Sequence, residues 1–111
     1  MKNESGLKPL GYAVLLKPYD PEKTTKGGII IPQNKQDAML MLDQRATVVE
    51  AGPMAWSDEK TPRAMPGDKV MVSRMAGNLI QGTADGQKYR MVLDRDVFAG
   101  IVGEGAEVFY G

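Results

Sequence analysis

The sequence predicts an all-β fold, a small irregular β-barrel, and three observations predict it. Apolar and β-branched residues come in short runs rather than in one long stretch. Gly and Pro, 13 and 7 of the 111 residues, separate those runs. Neither an internal repeat nor a long amphipathic helix pattern is present. Many short strands divided by Gly and Pro turns pack as a barrel or a sandwich. At 111 residues the chain makes a single domain, residues 1–111.

Residues 1–8 are polar and are expected to fray unless a neighbouring subunit holds them. Residues 9–17 form the first strand candidate; they alternate little, as strands buried on both faces do. Pro18 and Pro21 close that strand and open a flexible arm, residues 19–42. Within the arm, polar and chain-breaking residues lead to Gly27 and Gly28, then Ile29, Ile30 and Ile31, then Pro32. The two glycines loosen the backbone, and Pro32 pushes Ile31 toward an extended conformation. On local pattern alone this is either a partner-binding barb on a flexible loop or one more buried strand behind a turn. Asn34 and Asp37 suit the start of a short helix, and residues 38–42 are good helix formers. The reading adopted is the far limb of the arm, with a helical turn in it.

Residues 45–51 are β-branched and stop at Gly52–Pro53. Residues 52–65, which hold Trp56 and the charged run Asp58, Glu59 and Lys60, read as a protruding loop or loose hairpin rather than core. Pro66, Gly67 and Asp68 make a turn. Residues 69–73 then alternate, with Val70 and Val72 on one face. Residues 74–77 break that strand, and 78–82 form another. Asp85–Gly86 is the hairpin signal, because both residues tolerate positive φ. Residues 87–93 return with Tyr89, Met91 and Leu93 on one face. Asp94 to Asp96 start a helical turn expected to run through Phe98, and Ile101–Val102 is the last strand. The Gly-rich tail ends in Val108, Phe109 and Tyr110, which make either an inter-subunit or tail contact, the reading preferred because apolar residues at a terminus tend to bury, or a disordered end.

Composition narrows function. The chain is 42% hydrophobic and only 6% aromatic, so aliphatic side chains and methionine fill the core. The methionines at 39, 41, 65, 71, 75 and 91 are read as core filling rather than as a soft-metal site. Fourteen basic residues balance fourteen acidic ones, which argues against a dedicated nucleic-acid or membrane-surface binder. With neither Cys nor His, disulfides, thiolate metal sites and the commonest general base are all ruled out. The acidic residues are scattered over turns, and no phosphate-binding glycine loop occurs, so the chain is read as no enzyme and as needing no cofactor or metal. No apolar run approaches the roughly 20 residues of a membrane span, and residues 1–6 lack the apolar core of a signal peptide. A cytoplasmic protein is expected.

The order of the pieces resembles the co-chaperonin family, the GroES-like lids of chaperonin rings. The likeness covers about residues 9–102. Pro9–Leu10 with residues 14–17 is similar to the family's first strand. Gly27 to Ile31 resembles its Gly-Gly and three aliphatic residues, the tip of a mobile loop. Val48–Val49 with Ala51–Gly52 is similar to the strand leading to its roof hairpin, here about residues 52–65. Gly67, Asp68 and Val70 match its Gly-Asp-x-Val turn, and Asp96, Val97, Phe98 and Ala99 its closing motif. The related barrel of alcohol dehydrogenases shares that turn but needs Cys or His around zinc and a nucleotide-binding half. The chain departs from the family at Tyr12–Ala13, where Asp-Arg is usual. It also departs in a longer, more apolar segment before Arg45, in Trp56, and in its extended tail.

The resemblance implies a co-chaperonin that caps a GroEL-like chaperonin ring and assists ATP-dependent folding of an enclosed, unfolded substrate protein. Gly27, Gly28, Ile29, Ile30 and Ile31 would dock in a groove on the ring's rim. Self-association into a ring, seven-membered in the family, would pair the first strand of one subunit with the last strand of its neighbour. That places Leu10, Tyr12 and Val14 against Ala99, Ile101 and Val102. The competing reading is a small β-barrel interaction or assembly module with the Gly27–Ile31 segment in its core.

Overall fold

Strand β1 (Ala13–Pro18) is buried on both faces, and the sheet is built outward from it. The structure, a computed structural model, describes residues 2–19 and 41–103. The other strands are β2 (Arg45–Ala51), β3 (Lys69–Val72), β4 (Asn78–Gln81), β5 (Lys88–Leu93) and β6 (Val97–Gly100). They make one six-stranded sheet in the order β4-β5-β1-β2-β3-β6, antiparallel at every pairing. The all-β expectation holds.

The weak alternation of β1 now has its reason. Val14 and Leu16 point into the main core with Ala46, Val48, Val70, Val72, Val92 and Val97. Leu15 points the other way, to Val49 and Tyr89, with Leu7, Ile80 and Met91 packed beside them. Successive side chains of a strand face opposite sides, so a strand with two apolar faces shows no polar–apolar rhythm. Two bulges interrupt the ladders, one between Leu15 and Leu16 and one between Met71 and Val72. Each adds twist to the sheet.

The expected turn before β3 is present. Asp68 N donates to Met65 O (3.0 Å), and Met65 N donates to the Asp68 carboxylate (2.9 Å). Gly67 sits at φ 96°, the third position of a turn that starts at Met65, has Pro66 second and favours glycine third. β3 keeps its alternation, with Val70 and Val72 buried.

Four details differ from expectation. The β4–β5 hairpin closes at Gln81 and Lys88, so its loop is longer than a tight two-residue turn at Asp85–Gly86. Only Gly86 has positive φ; Asp85 instead accepts hydrogen bonds from Gln87 N (3.0 Å) and from the Tyr89 hydroxyl. Residues 2–8 are folded down rather than frayed. Ser5 is fully buried, Ala84 N donates to its carbonyl (2.9 Å), and the Asn3 amide donates to Leu7 O (2.7 Å). Pro18 closes β1 from within, as its last residue opposite Ala46, rather than from the position after the strand. The helical turn after β5 stops at Asp96, and Phe98 already lies in β6.

The Tyr89 phenol is pushed up to about 12, first by burial and then by its hydrogen bond to Asp85 and that carboxylate's charge. A folded value above the unfolded one, about 10, means the folded state holds the proton more tightly. The associated stability is intact below about pH 10 and is lost as pH rises from there through about 12. In an ultraviolet titration of the folded protein, one of the four tyrosines should ionise last. That component should vanish in Tyr89→Phe. If the tyrosines titrate together and Tyr89→Phe leaves the curve unchanged in shape, the Asp85–Tyr89 pair does not hold in solution.

Candidate functional site

Residues Gly27, Gly28, Ile29, Ile30 and Ile31 lie outside the described residues, as do the tail residues 108–110. The structure does describe both places where the 20–40 segment meets the barrel. On one side is Tyr19, directly after β1. On the other are Met41 and Leu42, which are helical, then Asp43 and Arg45. Of residues 38–42, read as the far limb of the arm with a helical turn, Leu42 is 55% exposed.

These two roots are joined. Tyr19 N donates to Arg45 O (3.2 Å), one step beyond the Pro18–Ala46 pair. The Arg45 guanidinium lies over the Tyr19 ring, 3.9 Å from its centroid. Arg45 Nε and Nη2 donate to the two oxygens of Asp43 (2.9 and 2.6 Å), and Arg45 N donates to Asp43 Oδ1 (3.0 Å). Burial works to raise the Asp43 carboxyl, but the hydrogen bonds and charge of Arg45, with help from Arg90, hold it below the usual carboxylate range. The same pair of bonds pushes the Arg45 guanidinium up.

Asp43 is tied inward through its backbone. Its carbonyl accepts from Arg90 Nη1 (3.1 Å), while Arg90 Nε donates to Ala76 O (2.8 Å) and Nη2 to Ser73 O (3.2 Å). Arg90 is 0% exposed. Burial pulls its pKa down, and the charges of Asp96 and Asp43 act against that. One buried guanidinium thus joins the root of the 20–42 segment to the β3–β4 connection. A planar five-donor fork suits this task, because it reaches three carbonyls in fixed directions. Sequence reading missed Arg90, since an Arg inside a strand pattern is by default a solvated residue.

The residues expected at a subunit seam separate into two groups. Leu10 and Tyr12 are 71% and 50% exposed, whereas Val14 is 0% exposed inside the protomer's own core. Val14, Leu15 and Leu16 are paired on both edges, by β2 and β5, so a second chain cannot pair with Val14 and meets the residues before β1 instead. Leu93, opposite Ala13, adds exposed apolar surface beside Tyr12. On the other side, Val102 is 81% exposed and Ala99 and Ile101 are partly so. β6 ends the sheet order and pairs only with β3 among the described strands. Ile101 N bonds to Lys69 O across that pairing (2.8 Å). Alternation along the strand then turns the amide and carbonyl of Gly100 to the open side. A Cβ at Gly100 would meet nothing within 4 Å. Phe98, also exposed, sits on this strand and had been read as part of a helical turn.

The 52–65 loop is not all surface. Trp56 is buried in the main core, with Ala64 beside it in the same cluster. Trp56 N donates to Asp94 Oδ2 (2.8 Å) and its indole Nε1 donates to Asp94 O (3.0 Å). Asp94, read from sequence as a turn residue, therefore anchors the loop. Residues 57–63 remain exposed, and Arg63 ties them down by donating to Glu59 and to Val97 O (2.6 Å). Among the described residues no group of three or more His, Cys, Asp or Glu is placed to hold a metal ion. Among them, too, no helix is long and apolar enough to cross a membrane.

The family model described as chaperonin 10 Kd subunit matches residues 6–101 of this chain. The chain is similar to relatives named Co-chaperonin GroES, of which three illustrate the extent of the likeness. That of Methylacidiphilum infernorum is 34% identical over 104 residues, covering 90% of this chain and 98% of its own. That of Acetivibrio thermocellus is 35% identical over 95 residues, 84% of this chain and 95% of its own. That of Caldicellulosiruptor saccharolyticus is 37% identical over 95 residues, 84% of this chain and 94% of its own.

Proposed function

The chain belongs to the chaperonin 10 Kd subunit family, and on that premise we propose that it caps a chaperonin ring and assists ATP-dependent folding of the protein enclosed beneath it. The observation that carries the reading is the extent of the match, residues 6–101. It spans every strand, both roots of the 20–42 segment and the open edge of β6. Relatives named Co-chaperonin GroES point to a GroEL-like ring as the partner and to the cytoplasm as the location. The protein is not an enzyme on this reading; the ATP belongs to the partner's cycle.

Gly27 to Ile31 form the docking tip. Burying one isoleucine is worth about 1.5–3 kcal/mol, so three give roughly 4.5–9. Ordering backbone costs about 1–2 kcal/mol per residue, so fixing five residues roughly cancels that gain. One arm binds weakly or not at all. A ring of identical chains, seven in this proposal, presents its other arms at high effective concentration once the first has docked, and small gains add. Weak single arms also let the lid leave when the partner's nucleotide state changes.

The ring forms through a head-to-tail seam: Leu10 and Tyr12 of one copy against Ala99, Ile101 and Val102 of the next. Val14 backs that seam from inside the protomer. The exposed residues 57–63 form a polar roof over the cavity, to which an unfolded substrate does not adhere.

Limited trypsin digestion tests the reading. The free protein should be cut first between Lys23 and Lys35. A GroEL-like chaperonin with ATP should suppress those cuts and leave cleavage elsewhere unchanged. Equal cutting with and without the chaperonin overturns the proposal. Resistance of that segment in the isolated chain favours the competing module with the isoleucines in its core.

A further inference from the structure

We propose that Tyr19, Asp43 and Arg45 form a clasp that ties the two roots of the 20–42 segment together and so sets how much chain must be ordered when the arm docks. The proposal rests on the co-chaperonin reading and adds positioning residues to it.

Three contacts converge at the place where the β1–β2 ladder ends. Alternate residues of a strand face one neighbour, so after Lys17 the Tyr19 amide is the next donor of β1 toward β2, and Arg45 O accepts it. The Arg45 side chain then covers the Tyr19 ring at 3.9 Å and grips Asp43 with both ends of its fork. Asp43 in turn hangs by its carbonyl from buried Arg90. Tyr19 is thereby coupled to the far root through one guanidinium, and that root is coupled to the protein interior.

Each of these contacts is modest alone. Side chains of Arg45 and Asp43 are 39% and 18% exposed, and such partly solvated pairs add little to global stability. Their effect falls instead on the arm. With the clasp open, the Tyr19–Arg45 pairing is lost while Pro18 and Ala46 stay in the ladder, and the residues at both roots join the stretch that docking must order. Every added residue must be ordered again on docking, against the same three isoleucines. The clasp therefore acts on affinity more than on folding.

The chain contains no cysteine, so a disulfide introduced with Tyr19→Cys and Arg45→Cys is the only one that can form. Directly opposed bonded residues of antiparallel strands lie about 5.5 Å apart at Cα, inside the range a disulfide spans. Chaperonin binding in ATP is measured for wild type and for the double variant, oxidised and reduced. Amide hydrogen exchange is followed alongside. Wild type and the oxidised variant should bind alike, and the reduced variant about fivefold or more weaker per arm. Exchange at residue 19 should quicken on reduction while Val48 and Val70 amides keep their protection. Equal binding by oxidised and reduced forms, with wild type also binding, overturns the clasp alone. Loss of protection at Val48 and Val70 on reduction also overturns it, because the residues would then be supporting the whole barrel. Failure of wild type to bind overturns the co-chaperonin reading, and the clasp with it.

Discussion

Replacing Ile30 with Asp should leave a folded, assembled protein that no longer binds its chaperonin. The substitution removes the roughly 1.5–3 kcal/mol that one isoleucine contributes per arm. It also asks a carboxylate to enter an apolar groove, which costs several kcal/mol more unless the group is protonated or paired. Since single arms are near balance, each one changes from marginally favourable to unfavourable, and linking them multiplies the deficit. Binding in ATP should fall below detection, while native mass and the thermal midpoint stay at wild-type values. The opposite pattern discriminates sharply. If Ile30 packs inside the barrel, the same charge unfolds the domain, because few domains tolerate an unpaired buried carboxylate. An Ile30→Asp protein that is unfolded therefore rejects the arm.

The largest stability effect should come from Arg90→Leu. Arg90 is wholly enclosed and serves the carbonyls of Asp43, Ser73 and Ala76. A leucine of similar bulk leaves all three without a donor. An abandoned buried acceptor costs about 1–3 kcal/mol, and relief from burying a charge offsets part of the sum. A net loss of about 3 kcal/mol or more is expected in urea unfolding at fixed chain concentration. That is a large fraction of the stability of a small domain. Arg90→Lys should fall between, since an ammonium cannot reach three carbonyls in a plane. A change under about 1 kcal/mol in Arg90→Leu would mean that water already solvates these carbonyls.

What could be read from sequence was what local chemistry decides. Gly52–Pro53 stopped β2, Pro66–Gly67–Asp68 turned into β3, and Val70 and Val72 shared a face, all from neighbours a few residues apart. What escaped was decided by partners far along the chain. Trp56 looked like a loop residue until Asp94, 38 positions away, bonded both its backbone and its indole. Arg90 and Asp43 are 47 positions apart. Ser5 is fixed by the hairpin loop at Ala84. The β6 boundary slipped because Asp94 to Asp96 form one tight turn, whose helix-start signal says nothing of its length. Of the site, the strands that carry the proposed seam were legible in order, but Val14 had its edges already taken by β2 and β5. Gly27 to Ile31, outside the described residues, were proposed for docking on motif order, and the binding experiments above test that.

The margin of β6, which no other described strand covers, with Gly100 facing outward and Phe98 and Val102 beside it, has a consequence for the solitary chain. A strand with spare amides and greasy neighbours recruits whatever extended backbone it meets. A head-to-tail contact repeated at an angle that fails to close grows into an open filament instead of a finite assembly. Dilution, or a substitution that disturbs closure, should therefore lead to fibrous or amorphous association as well as to lone subunits. In the ring proposed above, closing the circle pairs that margin and removes the hazard.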